Sequence, residues 1–312
     1  MRPIRIAIIG FGKIAADQHV PSIEGNDRFE LVGTSSRSGS GPEPRFADWR
    51  DLLEKVEGLE AVAITTPPSP RHEIARACIE AGLHVLMEKP PTVTLGEVED
   101  LALLAKERQV SLFTTWHAQH NRAVAEAQQL LASKRIAAMD IVWHEDVDKW
   151  HPGQRWIWEA GGFGVFDPGI NAFSIASRIF PGPLLVRSAE LSVPEDSQTP
   201  IAAEIQFASP ATDGPLTCSL DWRRTEGEEW TITVRTADGM ELRLLNGGSR
   251  LMVDGEARHC AGEGEYPDIF RTFVDLIDER RSHVDVAPLR LVADALLVGT
   301  RTIVSPVGTT GR

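Results

Sequence analysis

An aspartate, an asparagine and a lysine are the residues of this chain best suited to catalysis. Asp167 and Asn171 are four residues apart, which places both side chains on one face of a helix. Lys89 closely follows a short apolar segment that is typical of a buried strand. A carboxylate can accept the proton of a reacting hydroxyl, and a lysine can hold a developing oxyanion, so these residue types suit acid–base chemistry at a hydroxyl or carbonyl group.

From these residue types we expect Asp167 to be the leading base and Lys89 to serve as clamp and proton relay. Their titrations would be coupled, so the order in which the two groups act stays open. Asn171 can hydrogen-bond the reacting oxygen but cannot titrate. A structural alternative is that Asp167 only caps the helix predicted to begin at Pro168.

A glycine-rich turn near the N-terminus predicts a dinucleotide site. The segment Gly10–Ala15 has the pattern G-x-G-x-x-A and directly follows a predicted strand, Ile4–Ile9. Such glycines allow a tight turn and a close approach of the backbone to a pyrophosphate, which the N-terminus of the next helix attracts. The alternative is a plain strand–turn–helix corner.

The end of the second predicted strand bears on the choice between NADP and NAD. NAD-selective sites place an acidic residue there, whereas this chain has Thr34, Ser35, Ser36 and Arg37. Ser36 can donate a hydrogen bond to a 2′-phosphate and Arg37 can pair with it, so we expect NADP to be preferred and NAD to be tolerated. The alternative is that Arg37 is only a solvated loop cation.

Other cofactor contacts are expected where the later strands end, because ligands bind at the carboxyl edge of such sheets. Thr66 and Pro67 follow the third strand, and Glu88 and Lys89 follow the fourth. The expected cofactor-binding residues are Gly10, Gly12, Lys13, Ile14, Ser36, Arg37, Thr66, Pro67, His72, Glu88 and Lys89.

Short apolar segments alternate with helical patterns over residues 1–120, which predicts an α/β fold with a parallel sheet. The strand candidates are Ile4–Gly10, Phe29–Thr34, Ala61–Thr66, His84–Met87 and Ser111–Thr115. Thr94 and Glu97 form a capping box for a helix that runs to about Arg108. We expect residues 1–120 to be an N-terminal Rossmann dinucleotide-binding domain.

Residues 121–312 are predicted to form an α+β domain for substrate binding and dimerisation. Strand-like segments run from Leu184 to Gly255 with Asp-Gly and Asn-Gly turns between them, which favours a largely antiparallel sheet. Helices are predicted at Pro168–Phe180, Pro267–Arg281 and Leu289–Val304, and the last is a candidate to return to the first domain. An open sheet of this kind suits a homodimer.

Composition and charge argue against several kinds of partner. The chain has 45 Asp and Glu against 32 Lys and Arg, a formal net charge of −13, which disfavours nucleic acid and anionic membrane surfaces. It shows no apolar run of the ~20 residues that a membrane span needs and no signal-peptide pattern, and its three scattered cysteines fit reduced thiols. We expect a cytoplasmic protein.

His117 and His120 lack a third ligand at motif spacing, so no metal site is predicted.

Several motifs together resemble those of the Gfo/Idh/MocA oxidoreductase family. They include the glycine turn Gly10–Ala15, His19-Val20-Pro21 and Glu88-Lys89-Pro90. The family pattern also has a glycine cluster followed by Asp-x-Gly-x-His; here Gly161–Gly164 precedes Asp167-Pro168-Gly169-Ile170-Asn171, with Asn171 where histidine is usual. The resemblance covers nearly the whole chain and implies an oxidoreductase that uses a nicotinamide cofactor.

Three segments, Trp150–Gln154, Trp156–Glu159 and Asp167–Asn171, are similar to those of bacterial aldose 1-dehydrogenases. Those enzymes oxidise L-arabinose or D-galactose at C1 to the lactone, which implies a sugar substrate and an NADP-linked reaction here. Tryptophan faces suit the C–H face of a pyranose, and Glu, His and Asn suit its hydroxyls. The residues expected around the sugar are His117, Glu145, Trp150, His151, Asp167, Asn171 and Trp230. Trp143, Trp156 and Trp158 are expected in the core or the walls of the site.

The asparagine at position 171 also bears on the substrate. An ordinary alcohol needs a good base such as histidine, whereas the more acidic anomeric hydroxyl of a sugar can react with a carboxylate and a lysine. We therefore expect oxidation of an aldopyranose of the D-galactose, L-arabinose or D-fucose type. The alternatives are a polyol or inositol dehydrogenase of the same family, and a non-catalytic regulator that senses sugar and nucleotide. The presence of both Lys89 and Asp167 favours an enzyme.

Overall fold

The structure is a computed structural model that describes residues 2–262 and 264–306. It consists of two compact units. The first contains the described residues of Met1–His117 and Glu263–Val286, and the second those of Ala118–Gly262 and Ala287–Arg312. The single boundary expected near residue 120 does not describe the whole division, because the chain returns to the first unit before it completes the second.

The helices and strands are named here in chain order. The strands are β1 (Ile4–Ile9), β2 (Phe29–Ser35), β3 (Arg45–Phe46), β4 (Ala61–Ile64), β5 (His84–Met87), β6 (Leu112–Thr114), β7 (Ile136–His144), β8 (Leu185–Pro194), β9 (Ala202–Ser209), β10 (Thr212–Asp221), β11 (Glu229–Thr236), β12 (Glu241–Leu245), β13 (Arg250–Val253), β14 (Glu256–Arg258) and β15 (Thr300–Val304). The α-helices are α1 (Val20–Glu24), α2 (Trp49–Lys55), α3 (Arg71–Glu80), α4 (Leu95–Arg108), α5 (Arg122–Leu131), α6 (Val147–Trp150), α7 (Phe166–Ile179), α8 (Glu265–Asp278) and α9 (Ala287–Val298). A π-helical turn, Ala15–His19, leads into α1, and 3₁₀ turns occur at His117–His120, Arg155–Trp158 and Asn246–Gly248.

The first unit contains the predicted Rossmann sheet. Its six strands lie in the order β3-β2-β1-β4-β5-β6, and each neighbouring pair is parallel. The strands are Val/Ile/Leu-rich because β1, β4 and β5 are buried on both faces. The capping box at Thr94 and Glu97 is present at the start of α4, as predicted. These parallel strands bring their carboxyl ends, and the loops that follow them, to one edge of the sheet.

Helix α8 completes the core of the first unit. Its buried face packs with the aromatic side chains of the sheet, and the Phe270 ring lies 5.6 Å from that of Phe29. Phe273 contacts both Phe29 and Phe113. The expectation that the last helix returns to the first domain was wrong: α8 returns, whereas α9 belongs to the second unit.

The second unit is built on a nine-stranded mixed sheet with the order β14-β13-β12-β11-β7-β10-β9-β8-β15. Most neighbours are antiparallel, as predicted, but β7 pairs with β10 in parallel and β8 with β15 in parallel. Helices α5, α7 and α9 pack on the sheet or on one another. Gly169 allows α7 to approach β10 closely, because a Cβ at this position would lie 2.6 Å from Leu220 Cδ1. This contact fixes the helix that carries Asp167 and Asn171.

The C-terminal helix is shorter than predicted. It ends at Val298, and Thr300–Val304 forms the edge strand β15. Gly299 stops the helix, and the β-branched residues that follow it favour extended backbone. Among residues 2–262 and 264–306, no helix combines the length and apolarity needed to cross a bilayer.

Candidate functional site

The glycine turn of the first unit has the geometry of a phosphate cradle. Gly10 has a φ of +95°, and a Cβ on it would lie 2.6 Å from the Thr66 backbone nitrogen, so only glycine fits there. Gly12 differs, since a Cβ at this residue would meet no protein atom within 4 Å. Space is therefore left beside the start of the first helix, where backbone N–H groups and the helix dipole favour an anion. These residues fit the dinucleotide that the motif implies.

Lys13 and Ile14 begin that helix and are both exposed. The Lys13 ammonium pairs with Asp17 one turn later. Thr66 lies opposite the glycine turn, and its Oγ1 is buried without a hydrogen-bond partner in the described part of the chain. A buried hydroxyl without a partner next to the glycine turn is a candidate ligand contact. Pro67, the next residue, is exposed.

A cluster of three serines stands at the end of β2. Ser36 Oγ lies 2.7 Å from Ser38 Oγ, which is in turn 2.7 Å from Ser40 Oγ. Ser40 Oγ donates to the Phe11 carbonyl oxygen of the glycine turn at 3.1 Å. Arg37 is exposed. Ser38 and Ser40 were not predicted, although their alternation in Ser-x-Ser-x-Ser was a usable signal.

His72 is turned towards helix α4. Its Nε2 lies 2.8 Å from Asp100 Oδ2, and Arg76 Nη1 contacts the same carboxylate at 2.6 Å. This pairing ties α3 to α4. The expected contact between His72 and a cofactor is not supported by any feature of this arrangement.

Glu88 is buried under the Lys89 backbone. Its Oε1 accepts hydrogen bonds from His19 Nε2 and Tyr266 Oη, each at 2.8 Å, and its Oε2 accepts one from the Lys89 amide at 3.0 Å. Burial alone would raise the pKa of Glu88, but the hydrogen bond and charge of His19, the charge of His117 and the Tyr266 hydroxyl outweigh it and lower the pKa to about 2. The carboxylate is thus a fixed anion that holds the backbone of Lys89.

Arg71 completes the support of this segment. Its guanidinium donates to the carbonyl oxygens of Glu88, Pro90 and Thr66. Lys89 itself is half-buried.

His117 also belongs to the first unit; its ring stacks on Tyr266 at 5.8 Å, and its Nδ1 lies 3.4 Å from Glu265 Oε1. The other six expected sugar residues are in the second unit.

Asp167 and Asn171 lie on one face of α7, as predicted. Asp167 is in the first turn of the helix and is 3% exposed, and the N-cap, Val165, makes no side-chain capping bond. Asp167 is therefore not the N-cap that the alternative required, because the helix begins two residues earlier than expected. Asn171 Oδ1 is buried without a hydrogen-bond partner in the described residues, so it is an acceptor available to a ligand hydroxyl.

A histidine approaches Asp167 from another segment. His151 follows α6, and its Nε2 lies 3.6 Å from Asp167 Oδ2. Position 171 lacks the usual histidine, but an imidazole is present at the carboxylate all the same. The sequence argument from Asn171 considered only the residues of the helix itself, whereas the imidazole comes from another segment.

Glu145 binds two indole groups. Its Oε1 accepts from Trp222 Nε1 at 3.0 Å and its Oε2 accepts from Trp230 Nε1 at 2.9 Å. The Trp222 ring lies 5.1 Å from that of His151, and the Trp230 ring lies 5.7 Å from that of Trp150, which is 46% exposed. One buried carboxylate thus supports the rings beneath both His151 and Trp150.

Trp222 is a site residue that the sequence analysis missed. It follows β10, and it comes beside Glu145 because Asp221 pairs with His144 in the parallel β7–β10 ladder. No local pattern indicates that pairing. Of the expected wall residues, Trp143 is buried, whereas Trp156 and Trp158 are half-buried. No group of three metal-binding side chains occurs within residues 2–262 and 264–306.

Comparisons with known proteins agree with this architecture. Residues 4–116 match the model of the Gfo/Idh/MocA group, described as an oxidoreductase family with an NAD-binding Rossmann fold. The galactose 1-dehydrogenase of Pseudomonas fluorescens is 44% identical over 305 residues, which is 97% of this chain and 98% of that protein.

Solved structures give the same result. The crystal structure of a D-galactose 1-dehydrogenase from Rhizobium etli superposes with a TM-score of 0.93 at 44% identity and covers 98% of both chains. A 3-ketoreductase from Actinomadura kijaniata, solved with NADP, shares the fold at 18% identity, with a TM-score of 0.79 over 97% of this chain and 99% of its own.

Proposed function

Because the chain belongs to the Gfo/Idh/MocA oxidoreductase family, we propose that it is an NAD(P)-dependent aldose 1-dehydrogenase that oxidises D-galactose at C1 to the lactone. The observation that carries this proposal is the 44% identity to galactose 1-dehydrogenase over 97% of the chain. The arrangement of Asp167, Asn171 and His151 in the second unit supports it, because these groups suit a reacting hydroxyl.

The first unit holds the cofactor in this proposal. Gly12 leaves room for the pyrophosphate, and the orphaned Thr66 hydroxyl is available to donate to it. When bound, a nicotinamide dinucleotide supplies the hydride acceptor. NADP is the preferred form, because Ser36, Ser38 and Ser40 can turn their hydroxyls towards a 2′-phosphate while Arg37 neutralises it.

The second unit holds the sugar. Asn171 Oδ1 accepts a hydrogen bond from a sugar hydroxyl, which removes the cost of about 1–3 kcal/mol of leaving that buried oxygen unpaired. The exposed Trp150 ring covers a C–H face of the pyranose. Asp167 accepts the proton of the C1 hydroxyl, and its low exposure of 3% strengthens its interactions in the transition state. Lys89 stabilises the oxyanion, and Glu88 keeps the Lys89 backbone in place.

The proposal extends to assembly and location. Asp140, Glu204, Thr217 and Ser219 lie on one side of the second sheet and are joined by Thr217–Asp140 and Ser219–Glu204 hydrogen bonds. This polar face is the surface we propose for a homodimer. The three cysteines are unpaired, which supports a reducing compartment such as the cytoplasm.

A substrate panel tests the proposed function. D-Galactose, L-arabinose, D-fucose, D-glucose and myo-inositol would be assayed with NADP and with NAD by nicotinamide absorbance, and the lactone identified by NMR. We expect turnover of the first three sugars. D-Glucose, which differs at the C4 hydroxyl, should be poorer by roughly tenfold, because one polar contact of about 1–3 kcal/mol is lost. Faster turnover of myo-inositol than of every aldose would overturn the proposal in favour of a polyol dehydrogenase, and no turnover at all would favour a regulator.

A further inference from the structure

We propose that His151 is a catalytic residue that shares the substrate proton with Asp167, and that Gln154 and Trp156 hold it in the required tautomer. The inference rests on the proposed function and deepens it. Its starting point is the distance of 3.6 Å between His151 Nε2 and Asp167 Oδ2. Once Asp167 has taken the substrate proton, it can donate that proton to Nε2, and a shortening of about 0.6 Å then gives an ordinary hydrogen bond; such contacts commonly tighten when substrate binds.

The tautomer of His151 follows from two neighbouring contacts. Trp156 Nε1 lies 3.1 Å from Gln154 Oε1, and an indole nitrogen can only donate, so the amide atom there must be the oxygen. The same oxygen lies 3.5 Å from His151 Nδ1. An amide oxygen can only accept, so Nδ1 carries the proton in the neutral ring. The lone pair is then on Nε2, the nitrogen that faces Asp167.

The surroundings keep this nitrogen in place. The His151 ring packs on Trp222, whose indole is held by Glu145, and the side chain of His151 is only 16% exposed. An imidazole whose Nδ1–H is held by an acceptor and whose Nε2 faces a carboxyl group is placed to take a proton from that group, as a general base does. Asn171 cannot take this role, since an amide does not titrate.

The proton balance of the step is simple. The O–H bond at C1 breaks and its proton passes to the Asp167 carboxylate, while the electron pair of the O–H bond forms the carbonyl of the lactone. The hydride leaves C1 for the nicotinamide of the proposed activity. The proton then moves from Asp167 to His151 Nε2 and leaves the ring by exchange with solvent, which restores the carboxylate for the next turnover.

The central test compares His151→Asn with wild-type enzyme on D-galactose. Asparagine keeps a polar group for the sugar but cannot accept a proton, so we expect kcat to fall by about 10²–10³-fold while KM changes less than about threefold. Added imidazole should restore part of the kcat of a His151→Ala variant. The exposed His259 supplies the control, and His259→Asn should leave both constants unchanged.

The positioning role of Gln154 is tested by two variants. Gln154→Leu removes the acceptor for Nδ1–H, and we expect kcat to fall by about tenfold. Gln154→Glu keeps an acceptor for both His151 and Trp156 and should retain most of the wild-type kcat, a rescue that general damage to packing would not produce.

The outcomes separate this inference from the function on which it rests. If wild type oxidises D-galactose and His151→Asn raises KM with kcat intact, His151 is only a sugar ligand and the inference is wrong while the proposed function stands. Equal losses in Gln154→Leu and Gln154→Glu would likewise refute the tautomer assignment. If wild type oxidises no aldose, the proposed function itself fails.

Discussion

In the proposed function, Arg37 sets the cofactor specificity and Asn171 the sugar specificity, and each role can be tested by a single substitution. Arg37 is an exposed cation at the end of β2, next to a serine whose hydroxyl already belongs to a hydrogen-bonded cluster. Asn171 carries a buried acceptor with no partner. Arg37 is suited to distinguishing a phosphate from a hydroxyl, and Asn171 is suited to binding a sugar hydroxyl.

We predict that Arg37→Ala raises KM for NADP by about tenfold or more and changes KM for NAD by less than about twofold. The reason is that a charge-assisted contact to a phosphate contributes more than about 1 kcal/mol, whereas NAD offers only a hydroxyl at that position. Initial rates at saturating sugar measure both constants. Arg243→Ala removes an exposed arginine of the second unit and serves as the control. Equal changes for the two cofactors would show that Arg37 does not contact the 2′-phosphate.

At the residue scale, the sequence predicted contacts that depend on spacing along one element. Asp167 and Asn171 share a helix face because four residues make about one turn. It did not predict that His151 approaches Asp167 or that Trp222 contacts Glu145, because both contacts depend on how separate segments pack. His72 is close to Thr66 and Pro67 in sequence and was therefore expected to contact the cofactor. Its side chain instead contacts Asp100 on the next helix, which its sequence position does not indicate.

At the scale of elements, the end of β7 organises the second unit's site. Glu145 directly follows this strand and binds the indoles that follow β10 and lie on β11. Its two oxygens each accept one N–H, so the carboxylate satisfies two donors that would otherwise be buried or half-buried without partners. Three neighbouring strands are thereby tied together by one side chain.

We predict that Glu145→Gln lowers the free energy of unfolding by about 1–3 kcal/mol, because the amide nitrogen faces one indole N–H and leaves it unpaired. The fully buried Trp222 should keep its hydrogen bond to the remaining oxygen, so the N–H of Trp230 faces the amide nitrogen and loses its acceptor. Urea unfolding and the near-ultraviolet circular dichroism of tryptophan measure the effect.

The double variant Glu145→Gln/Trp230→Phe removes the unpaired donor and should recover part of the loss. Glu256→Gln, at an exposed position on β14, is the control for removal of one negative charge. Equal stability of the single and double variants would contradict the proposed conflict between donors.

Elements were predicted well where the pattern is local. Strands β1, β2, β4, β5 and β6, the glycine turn and the capping box at Thr94 all lie where the sequence placed them, whereas the two-residue strand β3 was not predicted. The end of the chain was misread, because Thr300–Val304 continues an apolar pattern that fits a helix as well as an edge strand. The parallel pairings of β7 with β10 and of β8 with β15 have no local signature.

At the scale of the whole molecule, one buried carboxylate makes stability depend on pH. Glu88 has a folded-state pKa of about 2, below its ordinary value of 4.5. A group whose pKa is lower in the folded than in the unfolded state contributes stability that is fully present above its unfolded-state pKa. This stability is lost as the pH falls through the folded-state pKa. The window is therefore from about pH 5 down to about pH 2.

We predict that the free energy of unfolding falls by about 3 kcal/mol more for wild type than for Glu88→Gln across this window, since each pKa unit corresponds to about 1.4 kcal/mol. Urea unfolding at a series of pH values measures the difference. Glu54→Gln, at an exposed position of α2, should follow the wild-type curve. Parallel curves for wild type and Glu88→Gln would show that Glu88 does not titrate as its surroundings indicate.

The return of α8 has a consequence for how the protein is made. On the ribosome, the sheet residues Ile6, Ile8, Phe29 and Phe113 emerge long before the helix that covers them. Helix α8 ends at Asp278, so at a synthesis rate of about 5–20 residues per second the apolar face of the nascent sheet stays uncovered for on the order of ten seconds. During that interval its apolar face is open to chaperones and to other nascent chains. The N-terminal unit, although first in the sequence, is completed only after the strands from β7 to β14 have been synthesised.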